Sequence, residues 1–275
     1  MKKVSLLGLF LVATTAQIAS AEVVVAEGPV AAMPAAGAPP APGCPKAFQG
    51  FHLGGNIGYG IGVGKQKFSR FFPNASGQFN ATPVRSFSNN VGVNGVDGGI
   101  GVGYTHRLCN WALGIAFDAN WAGTSGKFSE SLPGTSPTDN LSLKARLKNS
   151  LQLYARLGYV IREVAMPFIG LGWDNSKWKQ NFTENVGADP AAVSPAAYTT
   201  TASKSKRFNA FLWNVGVDFL ATKHVVVGFE YTGTVAGRKS FTKDYTNPQN
   251  GGAERITGSL KPQYNKFALT AKIVY

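Results

Sequence analysis

Chemistry by acid–base or nucleophilic catalysis would have to pass through His52, His106 or His224, the three histidines of the chain. A hydrolytic site needs a histidine beside a hydroxyl or thiol nucleophile and a carboxylate that orients the ring. None of the three has such partners at workable spacing along its own segment, and three so widely separated histidines do not read as a metal set. Gly99-Ile100-Gly101-Val102-Gly103 has the letters of a dinucleotide loop but is spaced G-x-G-x-G with no helix signal behind it, and Gly64-Lys65 lacks the remaining residues of a phosphate loop. The expectation is therefore no enzyme, no cofactor, no metal and no nucleic-acid partner. Two cysteines, Cys44 and Cys109, are too few for a disulfide-framework fold; they form one bridge in an oxidising compartment or remain two free thiols. Asn74, Asn80, Asn140 and Asn181 match the glycan acceptor pattern, which matters only on a eukaryotic secretory route.

What remains is charge, and its meaning depends on the elements that carry it. Net charge is +13, yet charged residues make up only 15% of the chain, few for a water-facing surface. Residues 141 to 159 alternate: Leu141, Leu143, Ala145, Leu147, Asn149, Leu151, Leu153, Ala155, Leu157 and Tyr159, apolar but for Asn149, against Ser142, Lys144, Arg146, Lys148, Ser150, Gln152, Tyr154, Arg156 and Gly158. Only a strand separates side chains with period two, and the run is long for a strand of a soluble protein. The same alternation of large apolar with small or polar residues starts at Phe51 and recurs about eight times, ending at Tyr275. Short connections alternate with four long polar ones, 64–91, 122–140, 177–208 and 233–265. Aromatics gather near the ends of the apolar faces: Tyr104, Trp111, Trp121, Tyr159, Trp173, Tyr231 and Tyr275. An all-β, eight-stranded antiparallel up-and-down transmembrane β-barrel fits this, with apolar side chains toward lipid and small or polar ones inside. A soluble barrel with an apolar interior would need the faces reversed.

Three groups of candidate residues follow. Asp97, Asp118, Arg156, Asp174, Asp218 and Glu230 fall on the inner face, where with Lys148, Lys266 and Lys272 they are expected to form a neutralising ion-pair network. The alternative is a narrow, mildly anion-attracting path past Arg156 for small solutes. Lys144, Arg146 and Lys148 are expected to form a basic rim above the bilayer, near lipopolysaccharide phosphates or the barrel mouth. Lys65, Lys67, Phe68, Arg70, Phe71 and Phe72 lie in the first long connection and are expected to be loop residues contacting outside molecules. Residues 1–21 read as a cleavable secretory signal with Lys2 and Lys3 ahead of a short apolar core, 22–47 as an Ala/Pro-rich periplasmic linker, and 48–275 as the barrel.

Phe51-His52-Leu53-Gly54-Gly55-Asn56-Ile57-Gly58-Tyr59, Pro167-Phe168-Ile169-Gly170-Leu171-Gly172, Gly228-Phe229-Glu230-Tyr231 and the terminal alternating segment together resemble the eight-stranded outer-membrane barrels that include the OmpA-like transmembrane domain and the Omp25/31-like and opacity-type surface proteins. The resemblance covers residues 48–275 and is specific for the fold rather than for an activity. It implies a bacterial outer-membrane location, a monomer in contact with membrane lipid and lipopolysaccharide, and a role in envelope integrity and in adhesion to host or cell-surface molecules through the loops. It also implies that the C-terminal aromatic, here Tyr275 where Phe is usual, is read by the outer-membrane assembly machinery.

Overall fold

The computed structural model describes residues 47–74, 76–83, 85–131, 140–186, 198–246 and 253–275. Ten strands follow one another: β1 (Gly50–Phe71), β2 (Arg85–Leu108), β3 (Trp111–Ala122), β4 (Ser125–Ser131), β5 (Asn140–Tyr159), β6 (Ala165–Val186), β7 (Tyr198–Leu220), β8 (Val225–Ala236), β9 (Lys239–Thr246) and β10 (Ala253–Val274). Neighbours pair antiparallel, and β1 closes the ring by pairing with both β10 and β2. β4 continues the line of β3 after a break at Gly123–Thr124, and β9 that of β8 after Gly237–Arg238, so ten segments make eight staves.

In the lower half the alternation is that of a membrane wall. Leu53, Ile57, Ile100, Leu113, Leu153, Ile169, Leu171 and Leu269 are exposed on the outside, while Asn56, Asp118, Gln152 and Asn214 face inward. Phe51 packs on Tyr104 and Trp111 on Tyr159 at the end of the short turns, whereas Trp213, Tyr231 and Phe267 cluster toward the other end. These are the two aromatic girdles. A membrane strand needs about 9–11 residues, and β1, β2, β6 and β10 have 22, 24, 22 and 22. About half of each stave therefore stands outside the bilayer.

That outer half has the opposite polarity. Phe68, Val91, Val93, Leu141, Leu143, Trp178, Phe182, Phe208, Phe241, Ile256 and Leu260 are buried inside it, and the lysines and hydroxyl residues between them point out. It is also no longer a closed ring. β2 meets β4 in register only at Asn94–Ser125, and β9 pairs with β10 alone. The staves therefore separate into two four-stranded sheets, β2-β1-β10-β9 and β4-β5-β6-β7, packed face to face. Rings from the two sheets meet between them: Phe68 stacks on Phe182 at 5.0 Å and Trp178 meets Tyr264 edge-on at 6.4 Å. Glycines make the seam possible: a Cβ on Gly126 would lie 1.7 Å from the Gly92 carbonyl oxygen, and one on Gly95 2.8 Å from Thr124 Cα. Water satisfies open sheet edges here, which lipid cannot do.

Two expectations change. The four long connections are largely strand: β1 runs on to Phe71 and β2 begins at Arg85, leaving only 72–84 between them. In these stretches apolar residues face inward and polar ones outward, so polar letters that read as loop belong to water-facing strand faces. The second concerns β5. A bulge between Leu147 and Asn149 shifts the register, so Leu141, Leu143, Ala145 and Leu147 point into the outer core while Leu151, Leu153, Ala155 and Leu157 point out to lipid. The odd-numbered residues are one stripe in sequence and two faces in space.

Candidate functional site

The interior is built in three tiers. At the short-turn end Phe48, Ala112, Val160, Met166 and Val226 form an apolar floor, backed by Ala47, Leu220 and Val274. Phe48 enters it from a left-handed backbone turn at φ 64°. Beneath, Arg107 donates to the Ala47 and Cys109 carbonyls and forms a two-pronged ion pair with Glu163. The Arg107 guanidinium holds the Glu163 carboxyl below its ordinary range.

The middle tier is polar. Arg156 donates to Asp218 at 2.6 Å, Lys272 donates to the same carboxylate at 3.0 Å, and the guanidinium lies 3.7 Å over the Phe168 ring. Of the six expected network residues, Arg156 and Asp218 are the two joined by an ion pair, with Lys272 as third member. The others are hydrogen-bonded instead, Asp97, Asp174 and Glu230 buried and Asp118 half-buried. Asp118 accepts from Tyr154 at 2.9 Å, Asp174 from Gln152 at 3.2 Å, Asp97 from Thr124 at 2.9 Å, and Glu230 from Thr232 at 2.9 Å. Lys266 bridges Asn56 and Asn120 rather than a carboxylate. Lys148 does not belong here: the bulge turns it outward, and it is exposed. The cavity between His52, Asp118, Tyr154, Glu230, Lys266 and Lys272 is about 20 Å3, room for about one water. Above it the third tier is the apolar core of the outer half.

At its far end Arg70 joins both sheets. It donates to Glu254 of β10 at 2.9 and 2.8 Å and to Glu184 of β6 at 3.0 Å, all three side chains buried. Arg70 and Phe68 are thus core residues, not loop contacts. Lys65 and Lys67 are exposed, but on the outer face of β1, and Phe71 and Phe72 are half-buried at the strand end. Lys144, Arg146 and Lys148 are exposed on the outward face of β5 rather than at a mouth. Glu184, Glu254, Lys272 and Lys266 carry interior polar roles that reading one strand at a time does not pair. His52 lines the middle tier, while His106 and His224 are exposed at the short-turn end. Among the described residues no group of acidic residues, histidines or cysteines is arranged to hold a metal ion. Cys109 is disulfide-bonded and sits in the β2–β3 turn at φ 53°; Cys44 lies outside the described residues. Tyr275 is exposed at the end of the last strand, its amide donating to the Phe51 carbonyl at 2.9 Å.

The sequence pattern of the outer membrane protein β-barrel domain matches residues 29–254. The chain belongs to this outer-membrane β-barrel family. No curated protein is similar enough in sequence to count as a match. Solved structures similar to this family member include the outer membrane protease OmpT of Escherichia coli, 10% identical, covering 81% of this chain and 97% of that one with a TM-score of 0.44. They include the outer membrane protein OprG of Pseudomonas aeruginosa, 10% identical over 83% and 98% at 0.41, and Neisserial surface protein A, 10% identical over 82% and 98% at 0.35. Membership places this barrel in the bacterial outer membrane, where barrels keep their short turns on the periplasmic side and their longer segments outside.

Proposed function

We propose that the protein is a non-conducting, non-enzymatic surface barrel that supports the envelope and makes contact with other surfaces through its outer half. The observation that carries this reading is the filled interior: an apolar floor, a hydrogen-bonded middle and a dry outer core leave no room for a file of solutes. The packed outer half supports the contact role, because two sheets packed through Phe68, Trp178 and Arg70 carry the described part of the β1–β2 connection, 72–74 and 76–83, at the end away from the membrane. In a planar bilayer the refolded protein should carry no stable current. A reproducible anion-selective conductance that changes with Arg156→Ala would replace this reading with that of a small pore. Contact is tested separately: replacing residues 73–83 by a short Gly-Ser turn should reduce binding to cells and matrix proteins at least about tenfold. Unchanged binding would leave envelope support alone.

A further inference from the structure

The two gaps between the outer sheets are not alike. On the β2 side, three contacts show which main-chain groups face the gap. The Val96 carbonyl accepts from the Gly123 amide at 2.9 Å, the Gly92 carbonyl points at Gly126, and the Asn90 amide donates to the Asn89 side-chain oxygen at 3.1 Å. Even-numbered residues of β2 therefore turn N–H and C=O away from β1. Asn94 pairs with Ser125, but Asn90, Ser88 and Ser86 meet no second strand among the described residues. The residues between them face the core. Phe87 lies beside Phe68, which stacks on Phe182, and on the other sheet Leu143 separates Phe182 from Phe128. Phe87 and Phe128 thus end one aromatic layer at this gap, and both are only half-buried. At the β7/β9 gap the same layer ends in Phe241 and Ala202, both buried. The inward edge positions beside them are lysines: Lys204, Lys206, Lys239 and Lys243. Inward-pointing charge keeps foreign strands off an edge. From Ser86 to Val96, β2 carries no charge at all.

We propose that the free edge of β2 takes up an extended strand of a partner polypeptide, one that alternates apolar and acidic side chains. Ser86, Ser88 and Asn90 supply main-chain donors and acceptors, the source of affinity when a strand is added to a sheet edge. The apolar side chains of the added strand complete the layer that Phe87 and Phe128 leave open. Its acidic side chains then face outward, two strands from Lys65 and Lys67, which flank Asn90 and Ser88 on β1. That is about 10 Å, close enough for attraction at physiological salt. Lys127 is the outward cation of β4 on the far side of the gap. No ion pair recorded among the described residues uses these three lysines. A second copy is a poorer occupant, because it would bring the same lysines together. The inference rests on the outer half being a contact surface and names strand pairing as the means.

The test uses the whole folded protein in detergent micelles. The probe is a fluorescent, end-blocked peptide, Glu-Val-Glu-Phe-Glu-Val-Glu-Phe-Glu, with binding read by anisotropy. Ser88→Pro removes one edge-facing N–H and leaves the β1 ladder intact, so it should weaken binding at least about tenfold. Ser205→Pro makes the same change on the β7 edge, where the Arg207 carbonyl accepts from Lys239, and should change binding less than about twofold. A peptide of the same composition with its apolar residues contiguous should bind at least about tenfold more weakly. The alternating peptide should slow deuterium exchange at the Ser86, Ser88 and Asn90 amides. Equal losses from the two proline variants, equal binding of the contiguous peptide, or unchanged exchange at Ser88 and Asn90 would each overturn the proposal. So would Ser88→Cys barrels that crosslink in pairs and exclude the peptide, since a second copy would then occupy the edge. Should Ser88→Pro fold poorly, Asn89→Lys places an inward charge on this edge and should weaken binding comparably; full binding would overturn the assignment. Replacing residues 73–83 should leave peptide binding unchanged, so this inference and the surface-contact reading fail separately.

Discussion

Gln66 is the most unusual side chain of the outer core. It is fully buried opposite Leu260, and neither its amide nitrogen nor its oxygen finds a hydrogen-bond partner among the described residues. An unsatisfied buried amide costs about 1–3 kcal/mol. Gln66→Leu keeps nearly the same volume and should raise unfolding stability by about 1 kcal/mol or more, read by denaturant titration in detergent. Asp218 behaves oppositely. Asp218→Ala leaves Arg156 and Lys272 buried without their shared carboxylate, and removing one partner of a buried pair costs about 3–5 kcal/mol. The Glu163 carboxyl, held low by Arg107, gives a pH signature. A depressed carboxyl stabilises the fold above its unfolded-state value, and the contribution is lost as pH falls through the folded value, below the ordinary carboxylate range. Glu163 is partly exposed, so the effect is within about 1 kcal/mol. Glu163→Gln should therefore lower the unfolding midpoint at neutral pH, and the gap should close in acid.

At the scale of elements, β5 carries the lesson about legibility. Its alternation gave away a strand, and Leu151 to Tyr159 behave as the sequence suggests, crossing the bilayer with Arg156 inward. The other half was hidden because a bulge reverses facing without breaking the run of letters. The inverted stretches of β1, β6 and β10 were hidden similarly: Lys65-Gln66-Lys67-Phe68-Ser69-Arg70 alternates as well as any membrane strand, but its apolar share is small and its faces are exchanged. Deleting Lys148 tests this. Without the extra residue Leu147 and Asn149 become neighbours opposite Trp178 and Lys177, Leu141–Leu147 stay inward, and Trp178 should keep the fluorescence of a buried indole; a shift toward that of an exposed indole would mean that the outer core depends on the bulge itself. Trypsin offers a second check on the unaltered protein. Lys65, Lys67, Lys144 and Arg146 stand outside the membrane yet within strands, and cleavage after them should be absent under conditions that cut exposed loops.

The whole molecule combines two folding solvents in one sheet system. Alternation, turn order and the aromatic girdles made the membrane-spanning eight staves readable from the sequence, since lipid imposes a strict code on one face. The interior carboxylates were recognisable as inward from Asp97, Asp118 and Asp218, but their partners come from strands far apart in sequence, so Lys266 bridging two asparagines, and Arg70 tying β1 to β6 and β10, needed the three-dimensional register. The outer core should make the extracellular half slow to exchange: amides of β1 around Phe68 and of β10 around Leu260 should be protected from deuterium as strongly as those within the bilayer. Rapid exchange there would mean that the two sheets part readily.

The broken staves carry a consequence for life on a crowded surface. Where β7 runs past β8 and faces β9 without pairing, each of the two offers unpaired peptide groups to neighbouring copies that diffuse in the same plane. Lys206 and Lys239 reach across this gap to backbone oxygens of Ser240 and Arg207, and Lys204 and Lys243 project beside it. Charges so placed repel a second strand approaching edge to edge. Replacing Lys204, Lys206, Lys239 and Lys243 by threonine should convert a dispersed barrel into one that crosslinks into pairs and clusters when reconstituted at high density. A population that stays single would mean that the flanking segments, not the lysines, keep the copies apart.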